Sequence, residues 1–413
     1  MGVPGTPVSG ATAATARLRR LDVALDNAAG LFSPGDSVAG HVCCDFVEDA
    51  RVHGCRIVFT GQAEVSWVEA RQKDASQPET VVGRQTLFQC CSQLFGKGPD
   101  EKASQPGHLI RAGFHQFRFH FQLPERLPSS FEHFSDTGRV KARVAYCLRV
   151  DLENSWRTAG HSRERRILVL RSRDLNRCKS LTEGVSLKKD AIVTCCCCIS
   201  KGRIRCELSL PRSGYVPGET MDIGMQVVNG SSACVDSTHI TFQQRLVLKA
   251  GQRSHTASAL IFSISGQRVR PGASGFYHDV IHVPPLPPTG RHCCQVLSIE
   301  YVVQVKIEAS GVLGHSESLQ LSVPVVIGTV PFENSALSSA NLVASCFAHF
   351  DFHTGDIIEH SLMELEQAQG PMRPVYRYYK TERRLSSQLL EKRRSHPQGG
   401  CDERHHNGAV TSV

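Results

Sequence analysis

The feature that most constrains the fold is a turn pattern that occurs twice, once in each half of the chain. An aromatic residue, a Pro-Gly pair and an acid precede a predicted strand at Phe32–Asp36 (FSPGD) and again at Tyr215–Glu219 (YVPGE). Proline fixes φ at about −65° at the first corner of a β-turn, and glycine can adopt a positive φ at the second. Each pattern therefore predicts a tight turn that leads into a strand.

Two further pairs of similar segments follow in the same order in both halves. They are Phe121–Pro124 with Ile281–Pro284, and Tyr146–Val150 with Tyr301–Val305. Strand sequences resemble one another in general, and this is the alternative explanation of any single pair. Three pairs in the same order favour a duplicated β domain.

Short runs of alternating apolar and polar residues predict antiparallel strands between these turns. Phe117–Leu123 alternates and stops at Pro124, which cannot donate to a β-ladder. Ile299–Ile307 places four large apolar residues on one face. Frequent turns and few helical periodicities predict an all-β chain with two antiparallel immunoglobulin-like β-sandwich domains. Apolar residues form 40% of the 413, which excludes a wholly disordered chain.

Composition divides the chain into five predicted segments. Alternation is confined to two long stretches, which a charged segment separates, and the last stretch gains Ser, Gln, His and charge. The predicted segments are a disordered leader (1–17), an N-terminal β-sandwich (18–170), a linker (171–189), a C-terminal β-sandwich (190–331) and a flexible tail (332–413).

Seven short segments resemble the turns and strands of one known family. They are Phe32–Gly40, Val65–Trp67, Leu123–Pro124, Leu127–Glu132, Gly214–Glu219, Ile299–Tyr301 and Val323–Pro331. In their order and spacing over roughly residues 20–331, the chain resembles the arrestin superfamily, and specifically the α-arrestins, or arrestin domain-containing proteins. The resemblance implies the arrestin fold of two β-sandwiches, with no catalytic activity and no cofactor.

The resemblance also implies partners and a location. Family members are adaptors that hold membrane-protein cargo and recruit a HECT-type ubiquitin ligase, whose WW domains bind Pro-Pro-x-Tyr motifs in the tail. Cargo is then internalised and sorted, which implies a cytoplasmic protein at the plasma membrane and endosomes. The tail candidate here is a degenerate WW-binding motif in which arginine replaces the first proline: Arg373, Pro374, Val375 and Tyr376. An arrestin-fold scaffold that has lost ligase recruitment is therefore the alternative.

Four adjacent cysteines form the most conspicuous run, Cys195, Cys196, Cys197 and Cys198. Successive side chains of a strand face opposite ways, so the four thiols cannot all reach one metal ion. Buried structural thiols, palmitoylation and a metal or redox site remain open, and the last would make the chain a thiol-dependent protein of another class. The 17 cysteines, without an export signal, are predicted to be mostly reduced in the cytosol.

Positive charge is concentrated in the predicted tail. The segment from Arg377 to Arg394 carries seven basic residues and two acids, in a chain whose net charge is +8. Such a segment favours an anionic membrane surface, or is simply solvated; no motif indicates nucleic acid. Ser386 follows a basic kinase-site pattern, and the chain ends in a predicted PDZ ligand, Thr411, Ser412 and Val413. The basic residues are Arg377, Lys380, Arg383, Arg384, Lys392, Arg393 and Arg394.

Overall fold

The structure is a computed structural model that describes most of the chain. The described residues are 18–71, 74–96, 107–153, 160–194, 200–290, 293–309, 317–335, 344–367 and 373–380. They form strands almost throughout, with one short α-helix and two 3₁₀-helices. None of the helices described is long and apolar enough to cross a membrane. The predicted all-β fold is confirmed, whereas the predicted leader lies outside the described residues.

The N-terminal sandwich contains eleven strands in two main sheets. In chain order they are β1 (Leu18–Leu25), β2 (Leu31–Phe32), β3 (Ser37–Phe46), β4 (Ala50–Val52), β5 (Gly54–Arg71), β6 (Asp74–Gly96), β7 (His108–Ile110), β8 (Gly113–Gln122), β9 (Phe131–Phe134), β10 (Val140–Glu153) and β11 (His161–Val169). One sheet has the order β1-β3-β8 and the other β2-β11-β10-β5-β6, with β9 added beside β10 and β4 paired to β7.

The C-terminal sandwich repeats this plan after a linker that contains two 3₁₀-helices, Leu175–Arg177 and Lys179–Thr182. Its strands are β12 (Val185–Thr194), β13 (Ser200–Leu210), β14 (Gly214–Tyr215), β15 (Thr220–Ser231), β16 (Val235–Ala250), β17 (Arg253–Gly266), β18 (Ser274–His282), β19 (Leu297–Ala309) and β20 (Glu317–Ile327). The sheets have the orders β12-β13-β15-β18 and β14-β20-β19-β16-β17. The first of these strands begins inside the segment that the sequence assigns to the linker.

The repeated turn builds the same structure in both sandwiches. Strand β2 pairs in parallel with β11, and β14 pairs in parallel with β20. In each turn the acidic side chain accepts a hydrogen bond from the backbone amide three residues earlier. Asp36 accepts from the Ser33 amide at 2.7 Å, and Glu219 accepts from the Val216 amide at 3.0 Å. This equivalence supports the internal duplication read from the sequence.

The repeated tyrosine is also equivalent in the two halves. Tyr146 and Tyr301 are both buried on the core face of a central strand. The Tyr146 hydroxyl donates to the carbonyl oxygen of Pro128 at 2.6 Å, and that of Tyr301 to Pro287 at 2.7 Å. Each tyrosine thereby fixes a proline-containing loop above its own sheet, at the end where the two sandwiches meet.

The segment predicted as a flexible tail instead contains a third small sheet. It comprises β21 (Ala344–Phe350), β22 (Ile357–His360), a helix α1 (Leu362–Gln367) and β23 (Tyr376–Lys380), in the strand order β22-β21-β23. The prediction of a flexible tail is therefore wrong for this part. Strands this short alternate over too few residues to be recognised, and β23 pairs with a strand far away in sequence.

Candidate functional site

Strand β23 is attached to the N-terminal sandwich by a buried tyrosine. The Tyr376 hydroxyl donates a 3.0 Å hydrogen bond to the carbonyl oxygen of Ser130, just before β9. Burial raises the pKa of the Tyr376 hydroxyl, so this group stays protonated and acts as a donor. The preceding residue, Val375, is also buried and packs with Leu168 and Leu365. This end of the strand is thus part of an apolar cluster.

Two further tyrosines attach the same strand to the C-terminal sandwich. The Tyr378 hydroxyl lies 2.6 Å from Nε2 of His282, at the end of β18. The Tyr379 hydroxyl donates to the carbonyl oxygen of Thr329 at 2.7 Å. Strand β23 therefore contacts both sandwiches and spans their junction.

A glycine of the repeated turn makes room for this strand. Gly218 has φ +103°, a conformation that side-chain-bearing residues rarely adopt. A Cβ atom at this position would overlap the carbonyl oxygen of Tyr379. The amide of Tyr379 also donates to the carbonyl oxygen of Pro217 at 3.1 Å. The second Pro-Gly turn thus serves as a docking point for the C-terminal strand.

The degenerate WW-binding motif coincides with the start of this docked strand. Arg373 is exposed and Pro374 half-buried, but Val375 and Tyr376 are 1% and 8% exposed. A WW domain grips its ligand between aromatic ridges and must reach the tyrosine ring. In this arrangement the ring is packed inside the molecule, so binding requires β23 to leave its position.

The other sites predicted from sequence lie mostly outside the described residues. Among the basic tail residues, Arg377 is exposed on β23, and the Lys380 ammonium lies 2.5 Å from Oε2 of Glu359. The predicted sites outside the described residues are Cys195, Cys196, Cys197, Cys198, Arg383, Arg384, Ser386, Lys392, Arg393, Arg394, Thr411, Ser412 and Val413.

A cleft of about 690 Å³ lies where both sandwiches meet the tail sheet. Its walls are β9 with the following turn, the middle of β17, the proline-rich loop after β18, and the tail sheet around His349 and Tyr376. The sequence did not indicate this cleft, because its walls come from segments more than 200 residues apart. Tyr376 and the loop prolines Pro285 and Pro287 are among its lining residues.

The cleft wall carries more acidic than basic groups. Glu132, Asp136 and Asp351 line it, against the single guanidinium of Arg373. Oδ1 of Asp136 lies 3.2 Å from Nδ1 of His353. The backbone amide of His353, together with other nearby donors, lowers the pKa of Asp351, so this carboxylate is ionised at neutral pH.

Two histidines of the tail sheet contact each other beside the cleft. Nδ1 of His349 lies 2.9 Å from Nε2 of His360, and the two rings are stacked. A hydrogen bond at this distance needs one nitrogen as donor and the other as acceptor. Partial burial, the neighbouring His360 and then Arg373 lower the pKa of His349. This favours the neutral form of His349.

The described residues offer no metal centre. They contain no group of three or more His, Cys, Asp or Glu side chains that could hold a metal ion. All cysteines in this part of the chain are free thiols. Burial raises the pKa of Cys206 to about 12 and that of Cys147 to about 11, so neither is an activated thiolate.

Two sandwiches built on one repeated plan, with a cleft at their junction, define a two-domain β protein of the arrestin class. The family model described as "Arrestin (or S-antigen), N-terminal domain" matches residues 21–176, and the one described as "Arrestin (or S-antigen), C-terminal domain" matches residues 200–332. The chain belongs to the arrestin family, among the arrestin domain-containing proteins or α-arrestins.

Curated relatives match the chain across most of its length. It is 27% identical to mouse arrestin domain-containing protein 4, over 82% of this chain and 80% of the relative. The human protein of that name is 27% identical, over 82% of this chain and 78% of the relative. Arrestin domain-containing protein 17 of Caenorhabditis elegans is 26% identical, over 76% of this chain and 71% of the relative.

Proposed function

We propose that this protein is a non-catalytic adaptor that links membrane-protein cargo to endocytosis, endosomal sorting and ubiquitination. The observation that carries the proposal is the presence of both arrestin domains in order, each matched over most of its sandwich. Such an adaptor works by binding two partners at once rather than by chemistry. It would act in the cytoplasm, at the plasma membrane and at endosomes.

Proximity labelling of the full chain in cells tests the adaptor function. A biotin ligase fused to the chain should label integral membrane proteins and components of endocytic transport. Loss of the chain should then slow the internalisation of the labelled membrane proteins. A labelled set without membrane proteins, or cargo whose internalisation does not change, would contradict the proposal.

A second candidate is an arrestin-fold scaffold that does not recruit a ubiquitin ligase constitutively. The burial of Tyr376, with its hydroxyl bonded to Ser130, favours this candidate. A pull-down with WW domains of a HECT-type ligase should recover little of the wild-type chain. The variant Gly218→Ala, which displaces β23, should be recovered more, and adding Tyr376→Ala should abolish the gain. Strong recovery of the wild type that depends on Tyr376 would support constitutive recruitment instead.

The charged C-terminal segment remains a proposed contact with anionic membranes. About 1 kcal/mol per cation near an anionic leaflet makes the binding measurable by vesicle sedimentation. Replacing the basic residues from Arg383 to Arg394 by glutamine should reduce sedimentation with phosphatidylserine vesicles and leave that with neutral vesicles unchanged. Phosphate at Ser386 should act in the same direction. If the glutamine variant and the wild-type chain sediment equally with phosphatidylserine vesicles, this role is contradicted.

A further inference from the structure

The interdomain cleft contains an unpaired strand edge. Strand β17 is the last strand of its sheet, and among the described residues it pairs only with β16. Residues 258–260, in the middle of β17, form part of the cleft wall. The backbone N–H and C=O groups on the outer edge of such a strand are available to an added strand. The cleft can therefore bind an extended polypeptide through main-chain hydrogen bonds.

Two large apolar side chains face solvent beside this edge. Phe134, at the end of β9, is 52% exposed, and Leu260, on β17, is 53% exposed. Both line the cleft, and they belong to different sandwiches. Side chains of this size that remain exposed around a groove are typical of ligand contacts. An added strand would bury both of them with its own apolar side chains.

The charge of the wall selects a cationic occupant. Three carboxylates, those of Glu132, Asp136 and Asp351, line the wall together with the guanidinium of Arg373, and Nε of Arg143 lies 3.7 Å from the Glu132 carboxylate, so the acids still outnumber the arginines. Most of the net charge of +8 lies in the segment from Arg377 to Arg394, which is not part of the cleft wall. The carboxylates of the cleft wall favour a basic segment of a partner through charge complementarity.

A buried amide that lines the cleft contains an acceptor without a partner among the described residues. Gln244 is fully buried, and its amide nitrogen donates to the Tyr301 hydroxyl at 3.0 Å. That hydroxyl uses its own proton to bond Pro287, so the orientation of the amide is fixed. The Gln244 amide oxygen has no hydrogen-bond partner among the described residues. Lysine and arginine side chains carry only donors and would satisfy it.

We propose that the interdomain cleft binds an extended, lysine- or arginine-containing segment of a partner protein, which adds as a strand to the free edge of β17. Binding of such a segment does not depend on the proposed adaptor function. If the partner is membrane cargo, that identification rests on the adaptor function. Peptide binding to the purified chain can fail while proximity labelling still succeeds, so the two proposals are tested separately.

Fluorescence anisotropy with the purified full chain tests the proposal directly. The probe is a fluorescein-labelled peptide of alternating lysine and valine, roughly nine residues long to span about 30 Å as a strand. It should bind at least about tenfold tighter than the glutamate–valine peptide of the same length. The same lysine–valine peptide with alternate backbone nitrogens methylated should lose binding, because it cannot form the ladder.

Variants of exposed residues locate the peptide in the cleft. Glu132→Gln combined with Asp136→Asn should weaken binding of the lysine–valine peptide about tenfold, and Leu260→Ser severalfold. The matched control is Phe276→Ser, which removes an exposed side chain from the edge strand β18, away from the cleft, and should not change binding. Unchanged binding by the charge variant, equal binding of the two peptides, or full binding of the methylated peptide would each overturn the proposal.

Discussion

The hydroxyl of Tyr376 lies 3.0 Å from the carbonyl oxygen of Ser130, so the C-terminal strand is hydrogen-bonded to the first sandwich. Two residues further on, Tyr378 contacts His282 of the second sandwich. Strand β23 thus connects the two sandwiches across their junction, and its first residue, Tyr376, is the last residue of the motif that family resemblance assigns to ligase recruitment. Docking buries this tyrosine, so binding of a WW domain to the same tyrosine would require β23 to leave its position.

Two substitutions of Tyr376 should destabilise the protein to different extents. Tyr376→Phe removes one hydrogen bond and should lower the free energy of unfolding by about 1 kcal/mol. Tyr376→Ala also leaves a cavity and should cost about 3–5 kcal/mol. Urea unfolding followed by fluorescence measures both values. Tyr277→Phe, whose exposed hydroxyl bonds Gln267, is the control and should change stability by less than about 0.5 kcal/mol. A wild-type midpoint for Tyr376→Ala would refute the buried position of this ring.

Gly218→Ala should release β23 from the body. The substitution adds backbone strain at φ +103° and a collision with the Tyr379 carbonyl. Hydrogen exchange at residues 376–380 should become fast, whereas the sandwich strands remain protected. Gly113→Ala is the matched control, because its φ of +122° imposes similar strain with no atom near the new methyl group. If both variants accelerate exchange at residues 376–380 equally, strain alone accounts for the effect.

The tail sheet should loosen as the pH falls below about 6.5. The pKa of His349 is lowered from its ordinary value of 6.5 in the folded protein, so the unfolded segment binds more protons in the window below that value. The stability that neutral His349 contributes is present above pH 6.5 and is lost as the pH falls towards the lowered pKa of this residue. Arg373 opposes protonation of His349 and Asp351 favours it.

Hydrogen exchange of residues 344–360 at about pH 7.5 and about pH 5.5, corrected for intrinsic rates, measures this dependence. The variant His349→Gln should remove most of it. The same acceleration at low pH in that variant would assign the effect to another group.

Loss of the Arg212 side chain should destabilise the second sandwich strongly. Its guanidinium lies 3.0 Å from the carboxylate of Glu219, whose side chain is 5% exposed. Arg212→Ala would leave that carboxylate buried without its charged partner, which costs about 3–5 kcal/mol. Arg177→Ala removes an arginine that is 87% exposed and 3.9 Å from its acid, and should cost less than about 0.5 kcal/mol. Thermal unfolding of the two variants distinguishes a buried pair from a surface pair.

Local sequence patterns predict the sandwiches well because adjacent residues encode each turn and each strand. A Pro-Gly pair followed by an acid defines its own turn, and Gly35 and Gly218 both have the positive φ that the pattern predicts. Alternation in β10 and β19 likewise determines which face is buried. These features need no knowledge of distant residues.

The tail sheet and the cleft depend on distant pairings, which local patterns do not encode. Tyr376 is a docked strand residue only because Ala348 and Ser130 lie beside it. The alternation of Tyr376 and Tyr378 around Arg377 was the one available signal, and it is too short to separate a strand from a tail. The resemblance to the family directed attention to a Pro-x-Tyr motif there, whereas packing gives the same tyrosine a structural role.

The buried apolar clusters do not end where the family match ends. The C-terminal arrestin match stops at residue 332, yet Phe332 packs beside Tyr379, and Leu168 of the first sandwich packs against Val375. Cutting the chain after the matched region would expose both clusters to water. The packed apolar core therefore extends at least to Tyr379, and the region that the family models match is smaller than the region that shares this core.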